Sequence, residues 1–209
     1  MGLTPPADPL ATTDSGEAPA LFRIFLALLL GLVGTIVTIV VAFLLFESVA
    51  AGPSGLPSIV GFAVASAILG GLLEIAQIVL IATGFRTLSK FNEAFSTPSK
   101  MAWFGIVAVL LFDVAVAEAL SASGSGSPTT DLGYFLALFV FAGIFAIIGA
   151  VGVLVGFWRM GSEYEVGRMK AGVVLSFFPF LDIIGYGLLL SGSFRIWRMA
   201  VRRQTAGPL

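Results

Sequence analysis

Cysteine and histidine are both missing from this chain of 209 residues. Without cysteine there is no disulfide framework and no thiolate ligand. Without histidine, the commonest general base, the commonest metal ligand and the usual b-type haem ligand are gone. Most membrane metalloenzymes and haem proteins are therefore set aside, and neither an enzymatic activity nor a cofactor or bound metal is expected. A carboxylate-only metal site is the arrangement this composition leaves open. Charge is scarce as well. Only 11% of residues are charged, against about 25% in a soluble domain. That is too little polar surface to cover a water-soluble globule, and no basic domain exists to bind nucleic acid.

What fills the chain instead is apolar: 58% of it is hydrophobic, in runs longer than the roughly 18 residues that mark a bilayer span. The sequence predicts an all-α, polytopic membrane helical bundle. Residues 1–20, "MGLTPPADPLATTDSGEAPA", read as a disordered tail rich in Pro, Ala, Thr and acids. Residues 21–200 form one transmembrane domain, with helices expected near 21–46, 59–84, 98–120, 132–157, 167–178 and 182–199, and residues 201–209 form a basic tail. A Gly/Pro turn separates the first two helices and a Gly/Ser loop at 121–131 the third and fourth. The third helix carries a start signal, Thr97 as N-cap with Pro98 at the first helical position.

The last apolar stretch, which contains "FFPFLDIIGYG" at 177–187, is either two short helices folded back on each other or one span kinked at Pro179. Length favours the single span, since 24 residues give about 36 Å of helix. Charge favours the hairpin, because basic residues near spans gather on one side, the cytoplasmic one. Arg23, Arg86, Lys90, Lys100, Arg159, Arg168 and Lys170 share a side in either reading; Arg195, Arg198, Arg202 and Arg203 join them only if the stretch turns back. Pro179 biases Phe178 away from helix, and Asp182 is a good N-cap for a helix starting at Ile183. The hairpin reading gives six helices, with the turn at the outer face and both chain ends cytoplasmic; the kinked reading gives five.

An internal repeat points the same way. "GGLLEIAQIVLIATGF" at 70–85 aligns without gaps to "AGIFAIIGAVGVLVGF" at 142–157, and each is followed within two residues by arginine. "IGYGLLLSGSFR" at 184–195 repeats the ending a third time. Weak hairpin symmetry of this kind is common in membrane folds. Trp103, Trp158 and Trp197 all stand beside basic residues, as in an interfacial belt.

The pattern "GFRTLSKFNEAFSTPSKMAWFGIV" at 84–107, with "GFWRMGSEYEVGRMKAGVVL" at 156–175 and "IIGYGLLLSGSFRIW" at 183–197, is similar to a family of archaeal multi-pass membrane proteins, the domain of unknown function 973. The resemblance covers residues 20–200. It implies a shared fold and an archaeal cytoplasmic membrane, and it carries no catalytic residues over.

The acids within the spans are the candidates for chemistry. Glu74 lies near the middle of the second helix with Gln77 one turn on along the same face; Asp113 lies in the third helix and Glu118 nearer its outer end. Lysine and arginine keep to the ends of the spans, so none lies at the depth of these acids to pair with them. A lone carboxylate in apolar surroundings takes up a proton, which makes a protonatable group in a bilayer a proton or cation site. The plainer reading is a protonated side chain hydrogen-bonded to a neighbouring helix. Copy two of the repeat has Ala146 where copy one has Glu74, so the repeat itself does not demand an acid. The stripes Ala63/Ala67/Gly71 and Gly152/Gly156 suit close helix packing and equally a homo-oligomer. Arg195, Arg198 and Arg202 fall on one helical face beside Trp197, in position to set topology or to meet anionic lipid headgroups. Two functions follow, a small proton, cation or solute transporter using the intramembrane acids, or a non-catalytic structural, lipid-binding or scaffolding membrane protein.

Overall fold

The structure, a computed structural model, describes residues 16–50, 56–125, 132–178 and 181–205. The 1–20 tail expected from the sequence, Pro179 and the end of the basic tail therefore lie mostly outside the described residues. Six helices make up the fold: α1 (Glu17–Ala50), α2 (Leu56–Leu88), α3 (Ser96–Ser125), α4 (Leu132–Glu163), α5 (Gly167–Leu175) and α6 (Asp182–Thr205). Long unbroken apolar sequence is what drives α1 to α4. In lipid every backbone N–H and C=O must be satisfied within the segment, and a helix does this. The four run a few residues past the apolar limits read from the sequence, because helical hydrogen bonding continues into the polar zone at each end. Segments of each, Glu17–Leu44, Ile68–Leu88, Glu93–Glu118 and Gly133–Glu163, are long and apolar enough to cross a membrane. Large apolar side chains such as Ile36, Phe43 and Phe46 stand exposed on α1, Phe46 at 75%, as lipid-facing residues do.

The helices pack in chain order. α1 lies on α2, α2 on α3 and α3 on α4, so the four make an arc; α5 then packs on α4, and α6 on α5 and α1. α3 and α4 cross closely, and a Cβ at Gly149 would lie 2.7 Å from the Gly105 nitrogen. Farther along α4, Gly152 meets Met101 and Gly156 meets the Phe85 ring, so this glycine stripe is spent on packing within the chain.

All the charged connections meet at one end, here the charged end. The Tyr164 hydroxyl donates to Glu17 Oε1 at 2.7 Å, tying the start of α1 to the α4–α5 turn. An Arg159 guanidinium N–H donates to the Ala94 carbonyl. Trp197 of α6 stacks on Phe25 of α1, with centroids 6.0 Å apart and planes 6° apart. The endings of the two repeat copies meet here too. Phe85 and Phe157, both buried, pack edge to face at 5.7 Å, and Phe95 stacks on Phe85 at 6.0 Å. The third copy lies in α6, and the chain runs toward this end in all three.

Two local expectations change. Thr97 is not the cap of α3. Asn92 accepts from the Ala94 N–H and opens a 3-10 turn, Glu93–Phe95, that runs straight into a helix already begun at Ser96. Pro98 then sits in the first turn, where its missing N–H costs nothing. The segment 201–205, expected as tail, is the last turn of α6. At the end of α4, Glu165 adopts φ 54°. The Val166 N–H reaches the Gly161 carbonyl at 3.0 Å and the Glu165 N–H that of Ser162 at 3.4 Å, the Schellman pattern, with glutamate in the left-handed position that glycine usually takes.

The stretch in question is two helices, α5 and α6, not one kinked span. Gly172 and Gly185 let their backbones touch: a Cβ on Gly185 would lie 2.9 Å from the Gly172 carbonyl oxygen. The turn does not reach the far face, however. α5 has nine residues, about 14 Å of helix against a hydrocarbon core of about 30 Å. The hairpin enters from the charged end and turns at about half depth. Among the described residues it fills the gap between α4 and α1 in the half of the arc nearer the charged end. α6 begins at Asp182, as expected for the hairpin, with the turn at mid-depth where the sequence suggests an outer edge.

Candidate functional site

Beyond the hairpin tip the arc of α1 to α4 stays open, and a cavity of about 540 Å³ occupies it. α1 contributes Gly34, Val37, Thr38 and Val41; α2 contributes Ser66, Gly70, Gly71, Leu73 and Glu74; α3 contributes Ala108, Val109, Phe112 and Asp113; α4 contributes Phe139, Ala142, Gly143 and Ala146. The α1 set repeats at three and four residues, one face of a helix. The walls are mostly glycine, alanine, valine and phenylalanine, with the hydroxyls of Thr38 and Ser66 and two carboxylates among them.

Helix geometry sets the depth of those carboxylates. Glu74 lies twelve residues before Arg86 on α2, and Asp113 lies thirteen after Lys100 on α3, so both stand about 18–20 Å in from the basic residues of the charged end. Gly71 brings them together. A Cβ there would lie 2.7 Å from Asp113 Oδ2, so the absence of a side chain lets the Asp113 carboxylate approach α2 one turn from Glu74. Asp113 and Glu74 are the titratable residues in the lining, and no lysine or arginine is part of it. Phe112 of α3 and Phe139 of α4 pack with ring centroids 5.9 Å apart and planes tilted by 49°. Among the described residues no group of three acids is placed to hold a metal ion.

The other candidates fall elsewhere. Gln77, one turn from Glu74, is half-buried and outside the lining; its amide donates to the Tyr186 hydroxyl of α6 at 2.9 Å. A Cβ on Gly31 of α1 would collide with both partners, so α1, α2 and α6 converge on one point directly beneath the cavity floor. Tyr186 is the residue the sequence reading missed. The signal was present in "GYG" at 185–187, a tyrosine flanked by glycines in an apolar run, but only folding brings it to Gln77. Glu118 lies farther along α3 and is not part of the lining. Arg195, Arg198 and Arg202 are exposed on α6, while Trp197 is half-buried among Phe22, Phe25 and Phe194. Arg198 lies 5.6 Å over the Phe194 ring. Pro179 and the side chain of Asp182 lie outside the described residues.

Among the described residues six α-helices, four of them long and apolar enough to cross a membrane, are consistent with a helical membrane protein. Residues 19–208 match the family described as "Protein of unknown function (DUF973)". The match takes in almost the whole chain, and the protein belongs to that family. No curated protein and no solved structure matches the chain.

Proposed function

We propose that this protein is a small transporter-like bundle in which Glu74 and Asp113 form the site for a proton or a cation. One observation carries the reading: a single cavity at half depth holds both carboxylates and no basic residue. An uncompensated acid in the membrane is expensive to keep, and two in one cavity cost more than any packing role requires. The Gln77–Tyr186 pair and the α5–α6 hairpin lie between this cavity and the charged end, in the position of a closed gate. Passage toward the charged end requires that contact to part, and the short α5 makes the hairpin the element with least structure to move. The eleven lysines and arginines supply the orientation. Their gathering at one end supports the reading that this end faces the cytoplasm, with the Arg195/Arg198/Arg202 face among anionic headgroups.

The test is flux. Purified protein in liposomes is assayed for proton and monovalent-cation movement, wild type against Glu74→Gln. The proposal expects flux in the wild type and its loss in the variant, with helicity retained. Wild-type liposomes that pass neither protons nor any of several cations would end the transport reading and leave the structural, lipid-binding one.

A further inference from the structure

We infer that the cavity takes a lipophilic organic cation, entering sideways from the bilayer between α1 and α4. The inference rests on the reading of Glu74 and Asp113 as the polar site and names what that site selects. The route comes from the packing order. α1 and α4 are the two ends of the arc, and among the described residues the elements bridging them are α5 and α6, which stop at half depth. Above the hairpin tip the cavity therefore faces lipid. The tip is apolar and exposed, with Phe178 at 54% and Ile184 at 56%, so a solute passing over it meets no polar barrier. A small hydrated ion does not approach by that path, because hydrocarbon holds no water to carry it. A molecule with an apolar body does.

The lining matches such a molecule at both ends of its chemistry. Two carboxylates without a basic partner favour a positive charge and repel an anion. Phe112 and Phe139 place two aromatic rings 5.9 Å apart in the same wall, and ring faces attract cations within about 6 Å, most strongly for ligands that carry no water shell. The remaining wall is apolar but for the hydroxyls of Thr38 and Ser66, and the volume of about 540 Å³ lies within the roughly 300–1,000 Å³ of sites that hold drug-sized ligands. Gly34 and Gly143 keep the space clear: a Cβ at either meets nothing within 4 Å. An acyl chain would match the apolar wall but leave both carboxylates unused, and a bare metal ion would leave the aromatic wall unused.

Tetraphenylphosphonium is the probe, with binding followed by equilibrium dialysis on the full chain in lipid nanodiscs. Saturable binding is expected, weakened at least tenfold in the Glu74→Gln/Asp113→Asn double variant and to a similar degree in Gly143→Leu, which adds bulk at a lining position whose Cβ would meet nothing within 4 Å. Tetraphenylborate, of the same shape and opposite charge, should fail to displace the probe. Displacement by tetraphenylborate as readily as by unlabelled tetraphenylphosphonium would show a site for apolar bulk alone, such as an acyl chain, and would overturn the inference; so would unchanged affinity in the double variant. Should the double variant not fold, the comparison of the two probes on wild type decides alone. Proton or sodium flux without probe binding would defeat this inference and leave the transport reading intact. Probe binding without flux of any cation would do the reverse.

Discussion

The side-chain amide of Gln77 donates to the hydroxyl of Tyr186 at 2.9 Å, across 109 residues of chain. That bond joins the second long helix to the re-entrant hairpin, beneath the cavity that holds Glu74. It ties the depth of the hairpin to a contact between two half-buried polar groups in an apolar bundle.

Tyr186→Phe removes the acceptor and keeps the ring. Interhelical hydrogen bonds in membranes contribute roughly 0.6 kcal/mol on average and up to about 1.7. The expected result is a lower thermal midpoint in detergent, larger than that of Tyr134→Phe, whose ring stands exposed on α4. Equal midpoints for the two variants would show that the bond contributes nothing.

Gly185→Ala should unfasten the hairpin. The new methyl would lie 2.9 Å from the Gly172 carbonyl oxygen and from the Ser176 nitrogen, both backbone atoms that a rotamer change cannot relieve. Overpacking of this kind costs about 1–3 kcal/mol. Gly187→Ala, two residues on, meets nothing within 4 Å and should be neutral or stabilising by up to about 1 kcal/mol through helix propensity. Thermal melts of the pair check this; equal destabilisation by both would mean that α5 and α6 do not touch as described.

The four long helices were legible because hydrophobic run length is itself the physical constraint on a membrane span. The hairpin was legible as a hairpin because arginines 195 to 203 belong with the other basic residues. Its depth was not, since the apolar run continues to Phe178 while the helix stops at Leu175, and composition does not report where helical hydrogen bonding ends. Glu74 and Asp113 stand out in sequence as acids among apolar residues. That Gly71 lets them share a cavity depends on the α2–α3 crossing, and that Gln77 turns to Tyr186 depends on a contact spanning most of the chain. Local spacing groups Gln77 with Glu74 because both lie on α2, and it carries no information about α6.

Tyr164 offers a pH test at the charged end. Burial, followed by its hydrogen bond to Glu17, pushes its phenol well above the ordinary value of 10.0. The folded state thus holds the proton where the unfolded chain releases it. The stabilisation is fully present below about pH 10 and is lost as pH rises above it, with a slope of up to about 1.4 kcal/mol per pH unit. Tyr164→Phe should flatten the decline in stability between pH 9 and 11 relative to wild type. Parallel curves would show that this phenol has no part in alkaline unfolding.

Orientation is open to single-cysteine labelling without background, since the chain has no cysteine of its own. Thr205→Cys, at the end of α6, and Ser125→Cys, at the end of α3, lie at opposite ends of the bundle. A membrane-impermeant maleimide added to intact cells should label position 125 and spare 205. Labelling at 205 alone would invert the topology, and labelling at both would contradict the half-depth hairpin.

The cavity is the centre of the account, and filling it is the most direct measurement. Gly34 lines it from α1, and a Cβ there meets no atom within 4 Å, so Gly34→Leu adds bulk to the cavity from a position where the first side-chain atom has room. Cation and proton flux into liposomes is compared for wild type and Gly34→Leu, with circular dichroism and thermal midpoint confirming the same fold. The account predicts flux in the wild type reduced at least tenfold in the variant at unchanged stability. Undiminished flux through a protein whose cavity is filled would contradict it.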